Sequence, residues 1–597
     1  MAFLQTTTSV FPASQQLAQS CPVPLGVLVQ PVQDAVALPV VSYGLEDVVR
    51  CRECGGYLSP FVVWVEAGQA WMCPLCKVRN ATPAFFYQAL DSAGQRLDQQ
   101  GRPDLTLLAY DISAPEAYID RPPAPPTFCF LLDCSQAAVK SGLVDALCDT
   151  LEEMVHTETF PGLARAQIGF ILVTAEVHLI SFDLDSDNIQ MISIGQGTET
   201  AFFPVPLDQL VVSLQDKSAS ILRVLKLIRT FAATGFLSNS AFRMGLTFVH
   251  TLLYASGGKA VILLSDITSG TGANTAAPYT PNTYDSWYRD IGRQFGQKGI
   301  LMDLFFASSR CSELPSLMHL SEQTGGSIYI YPKDSSVSKV SSELYLNLTS
   351  SQMWDVTVRL RTNKDWRVVQ AYGSFVVREG DLLGMQVAHA GSTMAYRVEM
   401  EDQVIHQGKI YLQAAVLYTT SASERRIRVL NLSLKVSNDR FEILSAAQSE
   451  AITALWARQA IVQAEESNDF GAGRTGVERK LRMMLAYAPS LPRNLEFLPY
   501  YILGLVKMTV FHSGKSLNKG LFALISEIPA FQRHALLTWP STSLCQLLYP
   551  RLYSLSVTQE LPAPLNLTVK SLSKDQVYCL DTGLDLLLWL GTCPAGT

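Results

Sequence analysis

No apolar run in this 597-residue chain reaches about 18 residues without a charge or a breaker, so the sequence predicts no membrane-spanning helix. The opening MAFLQTTTSVFPASQQ lacks both the basic stretch and the apolar core of a signal peptide, which predicts a cytosolic protein. Cysteine is scarce. Of twelve, eight (Cys21, Cys129, Cys134, Cys148, Cys311, Cys545, Cys579 and Cys593) are scattered, many inside apolar runs, as reduced core thiols are. That pattern excludes a disulfide framework. Positive charge is not in excess either: 46 Lys and Arg stand against 53 Asp and Glu, a net charge of −7, which argues against a general nucleic-acid binder. A local basic face toward an anionic membrane is compatible with that balance. Catalytic signatures are missing too, with no nucleophile elbow, HExxH, Walker loop or paired His and Cys context, and the eight histidines are dispersed. A hydrophobic share of 48% and a charged share of 17% still describe a chain that packs, and at about 150 residues per domain its length gives roughly four domains.

The other four cysteines are arranged differently. Cys51-x2-Cys54 and Cys73-x2-Cys76, eighteen residues apart, have the spacing at which two turns each present two thiolates to one tetrahedral zinc. The intervening YLSPFVVWVEAGQAWM alternates apolar and polar residues around Ala67-Gly68 and reads as a hairpin that brings the two turns together. The alternative, free or redox-active thiols, fits poorly because thioredoxin-like CxxC pairs come singly at a helix start. Four thiolates leave no open coordination position, so the zinc, one per chain, is expected to be structural.

After the proline-rich RPPAPP (121–126) the pattern changes to apolar strands alternating with amphipathic helices. Strands are predicted at 127–133, 166–174, 176–182, 260–266, 300–307 and 327–331, and helices at 142–154, 220–232, 242–254 and 284–296. Continuous apolar strands alternating with helices predict a mostly parallel sheet covered on both faces. The LLDCSQA that ends the first strand is similar to the metal-ion loop of von Willebrand A-type domains, DxSxS. Asp133 and Ser135 are kept, but Ala137 replaces the third ligand, and no magnesium is expected there. From 344 to 436 the chain alternates at period two, predicting an all-β sandwich or barrel. From 442 strong helix formers take over to about 555. DFG at 469–471 and GAGRTG at 471–476 lack the strand and βαβ context of a kinase or dinucleotide site, and are read as a flexible loop between helices.

The succession of four-cysteine finger, proline-rich link, A-type α/β domain, β-sandwich and helical domain resembles the cargo-adaptor subunit of the COPII inner coat. The stretches that carry the likeness include VVRCRECGGYLSPFV, RPPAPPTFCFLLDCSQAAVKSGL, SEQTGGSIYIYP, ERRIRVLNLSLKV, LPYYILGLVK and VYCLDTGLDLLLWLG, from about residue 45 to 591. The resemblance implies a multidomain α+β fold. Its parts are a short disordered N-terminus (1–21), a structural zinc ribbon (46–85), a von Willebrand A-like trunk (122–340) and an antiparallel β-sandwich (22–45 with 86–120 and 341–440). A helical domain (441–555) and an incomplete gelsolin-like C-terminus (565–597) follow, the latter with strands left exposed or borrowed.

The implied work is binding rather than catalysis. Sorting signals on the cytosolic tails of cargo and SNARE proteins would dock in separate pockets. Implied partners are the GTPase-activating inner-coat paralogue, a Sar-type small GTPase, outer-coat subunits and an acidic membrane surface, with no nucleic acid. The implied location is cytoplasmic, peripheral on ER exit-site membranes and COPII vesicles, and the Golgi membrane. One family pocket receives acidic signals on basic residues beside the finger. Arg50 matches the basic position before the first cysteine, whereas Gly55 replaces the one after the second. A solvated or knuckle-packing Arg50 is the alternative. The GTPase-activating paralogue, whose finger and trunk are similar, is the competing identity, and a nucleic-acid-binding zinc ribbon is disfavoured by the acidic balance.

Overall fold

Between its terminal Thr127 and Asp133 the strand TFCFLLD has no polar residue facing either side, and only a strand covered on both faces tolerates that. In the computed structural model Thr127–Asp133 lies near the middle of an eight-stranded sheet. Its order is Ile189–Ile194, Val177–Phe182, Gln167–Val173, Thr127–Asp133, Gly258–Ser265, Ile300–Ser308 and Ile328–Pro332, with Val212–Ser213 beside Gln167–Val173. The run from Gln167–Val173 to Ile328–Pro332 is parallel, and the remaining strands are antiparallel. Helices Leu143–Thr157, Ser218–Ala232 and Val337–Thr349 bury one face. Phe242–Leu253, Ser286–Gln297 and Leu314–Thr324 bury the other.

The structure describes the chain apart from residues 1–2, 35, 45, 120–124, 184–187, 196–201, 266, 268–284, 309–313, 333–335, 406–407, 513–526, 556–562 and 592–597. Most of the proline-rich link, the last residue of the strand predicted at 260–266 and the first of the helix predicted at 284–296 therefore lie outside the described residues.

Two further sheets face each other. One orders Leu4–Thr6, Gly26–Val29, Met394–Met400 and Trp366–Tyr372. The other runs Val376–Val377, Leu383–Ala388, Met353–Thr362, Lys409–Thr419, Arg425–Ser437, Ala109–Ser113 and Val40–Val41, with Val10–Pro12 pairing in parallel to Arg425–Ser437. The disordered start expected for 1–21 is therefore corrected. Residues from Leu4 onward supply two strands and the helix Gln15–Ser20, which Ser14 caps through Leu17 N–H. Phe11 is wholly buried with its ring 5.1 Å from Trp366, and Thr8 Oγ1 donates to the Ile443 carbonyl at 3.1 Å. Three-residue strands carry no readable periodicity, and Val10–Pro12 pairs with a strand more than four hundred residues away.

Helix Ser449–Ser467 is buried nearly all round and forms the axis of the helical domain. Its neighbour, Phe470–Tyr487, corrects a second expectation, because GAGRTG lies inside this helix rather than in a loop. Asp469 caps it by accepting from Gly471 N–H at 2.8 Å. Any Cβ on Gly473 would collide with the Ala460 carbonyl, and one on Gly476 with the Gln463 amide. The glycines cost intrinsic helix propensity but let the two helices touch. A boundary also moves: Arg551–Leu555, expected in the helical domain, pairs instead with Val577–Asp581 of the terminal sheet.

Trunk, sandwich and helical domain meet over buried polar groups. Asp303 accepts from Lys259 Nζ at 2.8 Å, Asn347 Nδ2 at 2.9 Å and Ser327 N–H at 2.6 Å. Glu322 pairs with Arg533, which also bonds Glu465, and His319 lies 3.2 Å from the same carboxylate. Burial opposes ionisation of Glu322, yet Arg533 and His319 hold it down to about 2. His534 and His389 are driven the other way. Burial, only partly offset by Glu322, pushes His534 down to about 4, and burial likewise lowers His389 despite Asp303. The unfolded chain takes up protons below about pH 6.5 that the folded histidines refuse, so stability must fall as pH drops from about 6.5 toward 4. For His534 alone the loss is on the order of 3 kcal/mol. Glu322 adds no loss above about pH 4.5, because its contribution is lost only as pH falls from its unfolded value near 4.5 toward 2. Urea midpoints at pH 7.5 and 5 should show the drop, and His534→Gln should reduce it. An equal drop in the variant would remove His534 from the account.

Candidate metal centre and the surface beside it

The finger is a three-stranded antiparallel sheet, Val63–Val65, Ala70–Met72 and Arg79–Ala81. The first two strands are joined at Glu66, Ala67 and Gly68, all at positive φ. Two turns with the same hydrogen bonding carry the cysteines. Gly55 N–H donates to the Cys51 carbonyl at 2.9 Å and Lys77 N–H to the Cys73 carbonyl at 3.0 Å. Cys51 N–H and Cys73 N–H reach back to the Gly56 and Val78 carbonyls. Gly55 and Lys77 both sit in the left-handed region, at φ 65° and 61°. Lys77 shows that a side chain is tolerated in this conformation, so Gly55 is favoured there but not required.

The turns bring the four Sγ atoms within 4.8 Å of one another, with Cys51 and Cys76 at 3.4 Å and Cys54 and Cys73 at 3.6 Å. A Zn–S distance of about 2.3 Å places tetrahedral sulfurs about 3.8 Å apart, so the donor set fits zinc without rearrangement. Crowding shapes the thiols. Cys54, accepting from Cys73, is drawn down to about 5, while that same bond holds Cys73 far above the thiol range and burial pushes Cys76 up to about 11. Four sulfurs this close cannot all ionise without a cation among them. Asn80 orients the shell: its Nδ2 lies 3.5 Å from Cys51 Sγ, and its Oδ1 accepts from Arg52 N–H at 2.9 Å. Trp71, Leu58 and Leu75 close the space around the sulfurs. Cys51, Cys54, Cys73 and Cys76 thus form a closed zinc site.

The second metal-type loop is built differently. Asp133 Oδ1 accepts from Ser135 N–H at 2.8 Å, and Oδ2 accepts from Asn239 Nδ2 at 2.9 Å, from Ser265 N–H at 3.0 Å and from the Ser265 hydroxyl. Ser135 caps the short helix Gln136–Lys140. The carboxylate is spent on the fold, which leaves a hard cation few oxygens to claim.

Arg50 lies on the surface beside the first turn, its backbone bridged to Tyr57 and its guanidinium 5.6 Å from the Tyr118 ring centre. Sequence reasoning missed a neighbour. Arg361, from sandwich strand Met353–Thr362, donates Nε–H to the Cys54 carbonyl at 3.0 Å and lies 5.6 Å from the Tyr57 ring centre. Its Nη2 would stand 3.5 Å from a Cβ placed on Gly55. Burial lowers the Arg361 pKa, helped by Arg359, and Nη1 is buried without a partner among the described residues. A guanidinium from another domain thus sits where the basic side chain missing at Gly55 would project. Only the period-two pattern of RLRT hinted at its face, and nothing in that pattern indicated the docking.

Gln413 completes the joint, accepting from Tyr57 N–H at 2.7 Å and donating to the Tyr57 carbonyl at 3.0 Å. Two outcomes follow. Metal analysis of the purified protein should find one zinc per chain, and a folded, metal-free protein would contradict the site. Asn80→Ala should weaken zinc affinity about 10- to 100-fold in competition with a chromophoric chelator. Unchanged affinity would leave Asn80 without that role.

Three segments match known domains: residues 48–86 the Sec23/Sec24 zinc finger, 123–348 the Sec23/Sec24 trunk domain and 353–437 the Sec23/Sec24 beta-sandwich domain. The chain is 29% identical over 635 residues to "Protein transport protein SEC24 A" of Arabidopsis thaliana, covering 99% of this chain and 60% of the relative. It is 28% identical over 633 residues to "Protein transport protein Sec24A" of Mus musculus, covering 99% of this chain and 56% of the relative. It therefore spans less than two thirds of the length of these curated relatives. The crystal structure of the human COPII-coat protein Sec24c shares the fold at a TM-score of 0.87 and 23% identity, covering 100% of this chain and 83% of that one. With these matches in sequence and fold, the chain belongs to the Sec23/Sec24 family and is a homologue of its Sec24 members.

Proposed function

We propose that the chain is a non-enzymatic COPII coat subunit that binds sorting signals on the cytosolic tails of cargo and SNARE proteins and packages them into ER-to-Golgi vesicles. The observation that carries this reading is the likeness to Sec24 transport proteins over 99% of the chain. The same relatives favour it over the GTPase-activating paralogue. In this reading the paralogue is the heterodimer partner, and a Sar-type GTPase, outer-coat subunits and an acidic membrane complete the assembly. The chain would work peripherally on ER exit sites and vesicles. No helix among the described residues is long and apolar enough to cross a membrane.

In this reading the surface beside the zinc finger supplies the chemistry for acidic tails. Arg50 offers an exposed guanidinium beside the Tyr118 ring, and Arg361 a half-buried one beside the Tyr57 ring, its Nη1 without a partner among the described residues. A carboxylate docking there would meet the exposed Arg50 fork with the Arg361 charge behind it; neither is in an ion pair among the described residues, and the half-buried charge is screened less by salt. The finger acts as the rigid support. Its closed zinc fixes the turn, and the turn fixes both Arg50 and the Cys54 carbonyl that aims Arg361.

With the purified paralogue, GTP-loaded GTPase and acidic liposomes, sedimentation should recover the chain only when both proteins are present. Recruitment in their absence, or none in their presence, would overturn the coat reading. An acidic tail peptide should bind about 2- to 5-fold more weakly to Arg50→Ala, as for an exposed ion pair, and at least 10-fold more weakly to Arg361→Ala. Equal binding by all three proteins would place the acidic signal elsewhere.

A further inference from the structure

Three polar side chains stand in one row across the sandwich sheet that carries the finger. Arg361 lies directly opposite Gln413 on the adjoining strand, and Gln413 directly opposite Asn431 on the next, so all three share a face. The middle one, only 2% exposed, takes hold of the finger by both polar groups of a single residue. Its Oε1 accepts from Tyr57 N–H at 2.7 Å and its Nε2 donates to the Tyr57 carbonyl at 3.0 Å, as a neighbouring strand would. Only a primary amide carries a carbonyl and an N–H group side by side. Its other N–H is given to Asn431 Oδ1 at 2.8 Å, and Asn431, 5% exposed, is tied in turn by its backbone N–H to the Leu108 carbonyl at 2.7 Å. The sandwich alone therefore fixes how the Gln413 amide is turned.

We infer that Gln413 is a positioning residue for acidic tails, an inference that rests on the proposed reading of the surface beside the finger. Tyr57 is tied to both arginines of that surface: its ring lies 5.6 Å from the Arg361 guanidinium, and its backbone is bridged to Arg50. Holding the Tyr57 backbone against the strand next to Arg361 sets where Arg50 stands relative to Arg361. Gln413 itself touches no ligand. Two other contacts hold the finger without it, since Arg361 bonds the Cys54 carbonyl and the wholly buried Tyr110 donates its hydroxyl to the Leu58 carbonyl at 2.7 Å. Loss of the amide should then leave the finger attached and its zinc in place, while the Tyr57 segment becomes free to shift.

Binding of a synthetic peptide rich in Asp and Glu to the full chain tests this, with zinc content and circular dichroism as controls for folding. Gln413→Met, which keeps the length of the side chain and none of its hydrogen bonds, should weaken the peptide about 5- to 10-fold. Asn431→Ala removes only the support behind the amide. It should cost about 2-fold, and it carries the test should Gln413→Met fail to fold. In a chain already bearing Arg361→Ala the loss caused by Gln413→Met should shrink, because one of the groups it positions is gone. An equal loss in both backgrounds would make Gln413 a purely structural residue and overturn the inference. So would unchanged affinity in Gln413→Met and Asn431→Ala while Arg50→Ala and Arg361→Ala weaken the peptide. If those two arginine variants bind as the wild type does, the reading of the surface fails and the inference fails with it.

Discussion

The hydrogen bond from Arg361 to the Cys54 carbonyl joins parts of the chain that are about three hundred residues apart. One end of it is a zinc turn and the other a sandwich strand. Because the turn is locked by metal and the strand by its ladder, the bond transmits rigidity in both directions. Arg361 is half-buried against the Tyr57 ring with its Nη1 unpartnered among the described residues, and Gln413 holds the Tyr57 backbone. Neither the finger nor the sandwich alone would bring Arg50 and Arg361 together.

The same logic of distant pairing runs through the molecule. The sandwich takes strands from before the finger, from between finger and trunk, and from after the trunk. Three domains then share one buried polar seam, where Glu322, Arg533 and Glu465 cross domain boundaries and Asp303 gathers bonds from trunk segments far apart in sequence. Such a seam gives these domains a fixed relation, at the cost of burying histidines that must stay neutral. Acid sensitivity is a consequence of that arrangement.

Legibility in the sequence followed the range of the signal. Trunk strands such as TFCFLLD and AVILL were readable because a strand covered on both faces is apolar at every step of its middle. The zinc cysteines were readable because both turns are local and their spacing encodes the geometry. What escaped was set by distance. The first twenty residues hold strands too short to show a period, one paired with 26–29, which in turn pairs with 394–400, and the other with 425–437. GAGRTG looked like a loop because its glycines are helix-poor, while their real task is to let Phe470–Tyr487 rest on Ser449–Ser467. Arg361 escaped for the same reason: its importance lies in what the sandwich docks against, and no local pattern records that.

A titration of an acidic cytosolic-tail peptide while zinc is withdrawn stepwise by a chelator tests this most directly. The account predicts that peptide affinity falls in proportion to zinc released, because the turn that aims Arg50 and Arg361 relaxes with the metal. Undiminished peptide binding to the fully zinc-free protein would contradict it.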